Sequence, residues 1–303
     1  MHKTPPGIRP IVSGCDGPTE SISQYVDHLL QPIAQQQQSY IRDSKNFIQL
    51  IESLKIPDDS LLVCIDVSSL YTHIPQDEGI DICMREITKL HDKETAATAG
   101  QLMQYILEDN IFKFNGRVYR QKFRTAMGPK MAPSFANTFM SDLENRFLQT
   151  QRILPLIWRR YIDDIFMIWT HGRDSLETFL RELNTFHHSI KFTFDISNTE
   201  AVFLDVTVHK GERFKATQIL DCRTHFKTTN TFQYVHRSSC HPPGVKKGIV
   251  IGECLRFPRN TSNKAEFEEQ KISLLMHLQA GGYQLKKLKR EYMKYNLKVV
   301  NST

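Results

Sequence analysis

The stretch Ile-Trp-Arg-Arg-Tyr-Ile-Asp-Asp-Ile-Phe-Met-Ile-Trp, residues 157–169, sets two adjacent carboxylates in the middle of an apolar run. Its apolar flanks predict two strands folded back across Ile162-Asp163-Asp164-Ile165. A pair of Asp residues in a turn is ordinarily solvated and needs no apolar neighbours. Here Tyr161, Ile162, Ile165, Phe166 and Ile168 surround it, and carboxylates beside apolar surface are costly unless charge compensates them.

A second stretch has the same character. Leu61-Leu62-Val63-Cys64-Ile65 is wholly apolar and ends on Asp66, which predicts a strand buried on both faces. Divalent cations compensate such carboxylates, and Mg²⁺ prefers a few of them plus substrate phosphates to an all-protein cage. Two-metal phosphoryl transfer holds a pair of ions roughly 3.5–4 Å apart. Asp66, Asp163 and Asp164 are therefore the candidate metal-ligating and catalytic set.

Outward from these two stretches, the first twenty residues read as extended chain and turns, rich in Pro, Gly and Ser. Helical spacing of apolar residues runs from about Ser21 to Leu54, and another helix covers residues 131–150 behind Ala132-Pro133-Ser134. Phe112 to Tyr119 reads as a hairpin about Asn115-Gly116. A helix at residues 174–187 and strands at 190–196 and 202–208 follow. Short strands and loops come after Lys210, then helices near 264–280 and 283–296. No internal repeat is visible.

The chain has 303 residues, 40% apolar and 24% charged, as an ordinary globular protein does. No apolar run has the length of a membrane span and the start lacks a signal-peptide core, so the expectation is a soluble, intracellular protein without membrane contact. The six cysteines form no C-x-x-C pair, and with the histidines of the tail they fit no usual zinc spacing. Charge is uneven: residues 1–209 carry a net −5 and residues 210–303 a net +11. The basic third suits a polyanionic partner, or else a solvated basic surface. A division at 209/210 follows.

Taken together, the motifs resemble those of Penelope-like retroelement reverse transcriptases. Tyr161-Ile162-Asp163-Asp164 is similar to the Y-x-D-D catalytic motif. LLVCIDVSSLYTHIP (residues 61–75), TAMGPKMAPSFANTFM (125–140) and RYIDDIFMIW (160–169) look like three successive palm motifs. Arg9-Pro10-Ile11-Val12-Ser13-Gly14 resembles the end of the fingers motif, Phe203-Leu204-Asp205-Val206 the primer-grip strand, and Phe232 to Asn263 the helix-turn-helix-like downstream region.

The resemblance implies an α+β fold: a right-hand polymerase palm with an antiparallel sheet, truncated fingers, and a mostly helical, basic thumb. The domains expected are 1–209 (fingers remnant and palm) and 210–303 (thumb, helix-turn-helix-like). It implies an RNA-directed DNA polymerase that adds dNTPs to a DNA primer on an RNA template in the nucleus, with two Mg²⁺ ions, or Mn²⁺. Asp66, Asp163 and Asp164 would hold the metals. Arg9 would clamp the triphosphate, guanidinium being suited to bidentate phosphate contact. Tyr71 would exclude a ribose 2′-hydroxyl. Gly128 would let backbone approach the nucleotide, with Met127 touching base or sugar. Lys191 would protonate the pyrophosphate, or is a solvated strand lysine.

Three positions depart from the family pattern: Arg124 and Pro129, where glycine and threonine are usual, and Gly281, where arginine is common. The segment before Arg9 resembles the tail of a longer fingers element, and the family's GIY-YIG nuclease is missing. A catalytically inactive, nucleic-acid-binding derivative is thus the alternative expectation. An RNA-dependent RNA polymerase would carry G-D-D and a polar residue at the sugar, against Tyr161 and Tyr71.

Overall fold

The computed structural model describes residues 14–121, 125–290 and 293; Arg9 and Arg124 lie outside the described residues. Two helices come first, α1 (Glu20–Gln35) and α2 (Ser44–Glu52). The Asp43 side chain caps α2 by accepting the Asn46 N–H at 2.8 Å. The apolar pattern predicts helix throughout this region, but the chain breaks between the two. Tyr40 forms a parallel bridge with Arg160 there: the Arg160 N–H donates to the Ser39 carbonyl (2.6 Å) and the Ile41 N–H to the Arg160 carbonyl (2.9 Å).

Strand β1 (Leu61–Val67) leads into a 3₁₀ turn at Leu70–Thr72 and then α3 (Gln76–Ile87) and α4 (Lys93–Glu108). Apolar spacing does not predict these two helices. Their signals are at the ends: Pro75 before an acidic first turn, and Asp92, whose carboxylate accepts the Thr95 N–H at 2.7 Å. The expected hairpin forms from β2 (Ile111–Phe114) and β3 (Arg117–Arg120), with Asn115 and Gly116 both at positive φ, as a two-residue turn of this kind requires.

Helix α5 (Ala132–Thr150) is the buried axis of its region. Phe135, Ala136, Phe139, Met140, Leu143 and Phe147 all lose their solvent. Next come β4 (Ile157–Tyr161) and β5 (Asp164–Trp169), antiparallel with Tyr161 opposite Asp164, then α6 (Arg173–Phe186) and β6 (Phe192–Ser197). The sheet order is β4-β5-β1-β6. Residues Ile165 to Trp169 of β5 are buried without a break, which explains their unbroken apolar run.

A three-stranded antiparallel sheet follows, of β7 (Glu200–Phe203), β8 (Val206–His209) and β9 (Asp221–Thr224), with α7 (Glu212–Thr217) between the last two. Helices α8 (Pro243–Asn260) and α9 (Lys264–Ala280) come after it, and residues 285–290 are helical. The sequence pattern predicts α9 but not α8. Gly244, Gly248, Gly252 and Pro258 depress the helix propensity of α8, which is offset by packing of Val250, Cys254 and Phe257 against Leu274, Leu275, Leu278, Tyr283 and Leu288. In the basic run 286–290 only Leu288 turns inward.

The chain clusters into two compact units. One draws its described residues from Met1–Ile41 and Ile65–Phe194, the other from Arg42–Cys64 and Asp195–Thr303. This spatial division differs from the charge boundary at 209/210, since the second unit also takes α2 and the start of β1. Among the described residues no helix is long and apolar enough to cross a membrane.

One polar network organises the first unit. Arg160 and Glu144 are 1% and 2% exposed, and Arg160 Nε donates to Glu144 Oε1 at 2.8 Å. Trp158 Nε1 donates to the same oxygen (3.0 Å) and Ser39 Oγ to the other (2.7 Å). The remaining guanidinium nitrogens donate to the Asn137 side chain and carbonyl and to the Ile162 carbonyl. Removing one member of such a buried pair leaves an uncompensated charge at a cost of about 3–5 kcal/mol. Glu144→Leu and Arg160→Met should each destabilise the first unit on that scale in denaturant unfolding. Because each single change strands the partner, the double variant should lose clearly less than the two losses added together.

Candidate active site

The β4–β5 hairpin leaves only Ile162 and Asp163 in its loop. Ile162 has φ +55°, which a β-branched side chain resists, at a cost on the order of 1–3 kcal/mol. Both peptide carbonyls of the loop are held. Arg160 Nη1 donates to the Ile162 carbonyl at 3.2 Å, and the Val67 N–H donates to the Asp163 carbonyl at 3.0 Å. The second bond brings the turn alongside the end of β1. There Asp66 is exposed, between buried Ile65 and Val67, as a pleated strand with one wet position requires. Asp164 and Tyr161 are directly opposed and share a face of the sheet.

Tyr71, in the turn after β1, belongs to the same place. Burial pushes its phenol up to about 12, and the neighbouring charges of Asp163 and Tyr161 add to the shift. The Thr125 N–H donates to the Tyr71 carbonyl at 3.1 Å, so the loop of half-buried Met127 and Gly128 starts from this tyrosine. Gly14, the end of the predicted fingers motif, packs on that loop: a Cβ at Gly14 would lie 3.0 Å from the Gly128 carbonyl oxygen. Lys191 is adjacent through its backbone, whose carbonyl accepts the Ser68 N–H (2.8 Å). Its ammonium, however, donates to the Asn184 and His187 carbonyls at 3.0 and 3.2 Å, which is the behaviour of a cation closing the end of α6.

Asp66, Tyr71, Asp163, Asp164, Met127 and Gly128 are thus linked through neighbouring backbone. Among the described residues no group of three or more His, Cys, Asp and Glu side chains is gathered to hold a metal ion. The donors near the turn are carboxylate oxygens, which suit a hard cation. Mg²⁺ takes one or two carboxylates and fills its shell with water and substrate phosphate. The donor set fits an ion that arrives with phosphates rather than one held in a preformed cage.

Asn137, Glu144 and Arg160 were not among the expected site residues, yet they fix the turn. Their signal is a charge at an inward position: Glu144 on the buried face of α5, and Arg160 next to Trp158 in strand alternation. The Tyr71 environment is directly measurable. Ultraviolet difference titration should show a phenol titrating at about pH 12, and Tyr71→Phe should distinguish it from Tyr234, which burial also pushes to about 12. Asp163→Asn should lower the Tyr71 value but not restore it, since burial is the larger cause. With the folded value above the unfolded value of about 10, the stability contribution is complete below pH 10. It is lost as pH rises from there to about 12.

The fold and its site have counterparts among known proteins. The family profile "Reverse transcriptase (RNA-dependent DNA polymerase)" matches residues 1–237, and "Animal helix-turn-helix domain" matches residues 233–293. No curated protein matches in sequence. Among solved structures, telomerase from Candida albicans in complex with a fragment of telomeric RNA is similar at 12% identity and TM-score 0.57, over 91% of this chain and 47% of that one. The RNA-dependent RNA polymerase of a human picorbirnavirus is similar at 10% identity and TM-score 0.55, over 86% and 49%. This chain spans about half the length of each. The likeness establishes a polymerase palm-like fold of helices and antiparallel sheet. With its profile match running unbroken from the start of the chain through both carboxylate stretches, the protein belongs to the reverse transcriptase (RNA-dependent DNA polymerase) family and carries an animal helix-turn-helix domain at its C-terminal end.

Proposed function

We propose that the chain is the RNA-directed DNA polymerase of a Penelope-like retroelement, extending a DNA primer with dNTPs on an RNA template in the nucleus. The observation that carries this reading is the Val67–Asp163 backbone bond, which sets the Asp163-Asp164 turn beside Asp66 with Tyr71 against it.

Asp66, Asp163 and Asp164 hold the metals in this scheme. Two Mg²⁺ ions, or Mn²⁺, supply the positive charge that activates the primer 3′-hydroxyl and steadies the leaving pyrophosphate. The Tyr71 ring stands against the sugar and leaves no room for a 2′-hydroxyl, and its raised pKa keeps it neutral at working pH. Met127 and Gly128 line the base and sugar, with Gly128 admitting close backbone approach. Arg9 clamps the triphosphate. Lys191 donates a proton to pyrophosphate only on releasing the α6 carbonyls that hold it. The basic unit with the helix-turn-helix domain tracks the nucleic-acid backbone.

A second reading is an inactive nucleic-acid-binding derivative, which the net +11 charge of residues 210–303 also suits. Primer extension on poly(rA)/oligo(dT) decides. Wild type should incorporate dTTP with Mg²⁺, and Asp163→Asn should lose about 1000-fold or more, equivalent to about 4 kcal/mol of barrier. A wild-type chain without metal-dependent synthesis supports the second reading. Tyr71→Ala should raise incorporation of rUTP relative to dTTP by about tenfold or more, about 1.4 kcal/mol. Unchanged discrimination would remove Tyr71 from the sugar pocket.

A further inference from the structure

The hairpin of β2 and β3 exposes what folded proteins usually cover. Ile111, Phe114, Val118 and Tyr119 are 57%, 68%, 70% and 42% exposed, and every strand residue except Phe112 is open to solvent. Two-stranded ribbons are only marginally stable alone, so an uncovered apolar ribbon requires another reason for its composition.

Its register sorts the side chains. Phe112 opposes Tyr119 and Phe114 opposes Arg117, so these four share one face. Phe112 and Tyr119 are stacked, with centroids 5.5 Å apart and planes 19° from parallel. Three aromatic rings and a guanidinium thus form a single surface. Residues 111–120 contain Lys113, Arg117 and Arg120 and no acidic residue. Arg120 is used at the base, paired with Asp109 at 2.9 Å and donating to the Glu108 carbonyl at 2.8 Å. Lys113 and Arg117 form no ion pair among the described residues.

Aromatic rings beside a guanidinium match a polymer that alternates flat bases with phosphates. Duplex would present phosphates but keep its bases stacked, whereas unpaired bases stack on aromatic side chains. We propose that the β2–β3 hairpin is a binding platform for single-stranded nucleic acid, with Phe112, Tyr119 and Phe114 stacking bases and Arg117 meeting a phosphate. Its base closes with the Gln121 N–H on the Asn110 carbonyl (2.9 Å). Four residues, hence five steps of chain, separate Arg120 from Thr125, at most about 18 Å when extended at about 3.5 Å per residue. Since the Thr125 N–H is bound at Tyr71, one strand can reach both places. On the polymerase reading, that strand is the unpaired template.

The test uses the full chain without nucleotides or divalent metal, so its outcome does not depend on catalysis. Both tryptophans, Trp158 and Trp169, are buried at 5% and 1% exposure, so Phe114→Trp adds the only exposed indole. Its emission should be quenched by 12-mers of oligo(rU) and oligo(dT), and not by a duplex of equal length. Phe114→Ala with Tyr119→Ala should weaken single-strand binding, read by fluorescence anisotropy, by about 5- to 150-fold. Its melting temperature should fall only slightly, by the loss of the Phe112–Tyr119 stack, since Phe114 and Tyr119 are exposed. Arg117→Gln should reduce the slope of log affinity against log salt by about one. Unquenched emission from the introduced indole, with unchanged affinity in the double alanine variant, would overturn the proposal. So would a dimer in sedimentation equilibrium that Phe114→Ala dissolves, since a second copy would then cover the ribbon. Loss of primer extension with binding intact would instead count against the polymerase reading alone.

Discussion

A carboxylate and a guanidinium, both almost without solvent, hold together the part of the molecule that matters for chemistry. Glu144 sits on the buried face of α5 and Arg160 in β4. Neither ion would be tolerable there without the other, and each has further oxygens or nitrogens to satisfy. The partners that satisfy them are spread over distant sequence: Ser39, Asn137, Trp158 and the Ile162 carbonyl. Helix α5, the break after α1 and the β4–β5 loop are therefore fixed by one set of bonds. The Ile162 backbone occupies a conformation that its side chain disfavours, and the fork geometry of arginine lets one residue hold both the helix and that turn.

The second unit contains a turn of the same build. Phe203-Leu204-Asp205-Val206 repeats the order aromatic, aliphatic, acid, and Leu204 has φ +56° where Ile162 has +55°. Local form does not decide the acid's role. Burial alone would raise the Asp205 pKa, but bonds from Ser44, Arg256 and Asn260 outweigh it and hold the carboxyl below its ordinary range. Asp205 is an anchor that ties its turn to α2 and α8. Around Asp163, bonds to the backbone carbonyls of the turn set the position of the acid through its main chain.

Much of this was legible in sequence because burial and chemistry there act on neighbouring residues. The apolar runs around Asp66 and Asp163-Asp164 predict both strands, and Asn115-Gly116 predicts its hairpin. Helices α3, α4 and α8 were not legible, for two reasons. In α3 and α4 the signal lies in end-capping residues rather than in apolar period. In α8 the glycines and Pro258 argue against a helix that tertiary packing nevertheless imposes. The break between α1 and α2 was hidden because its cause is Arg160, more than a hundred residues away. At Lys191 position alone does not decide the role: it fits a proton donor, and the ammonium also donates to carbonyls at the end of α6.

Bringing the three carboxylates together around a metal has an electrostatic cost. Two like charges 4 Å apart repel by about 4 kcal/mol at an effective dielectric near 20. Three carboxylates held as a tight cage would repel three times over, and the strained turn at Ile162 has little stability to spare. The Val67–Asp163 bond fixes the backbone of the turn beside the end of β1, where Asp66 is exposed. Gathering them then requires positive charge, and a nucleoside triphosphate with its cations brings both charge and the missing oxygen ligands. On the polymerase reading, the buried Arg160 network fixes the turn, and the cations that arrive with substrate would offset the repulsion among its acids.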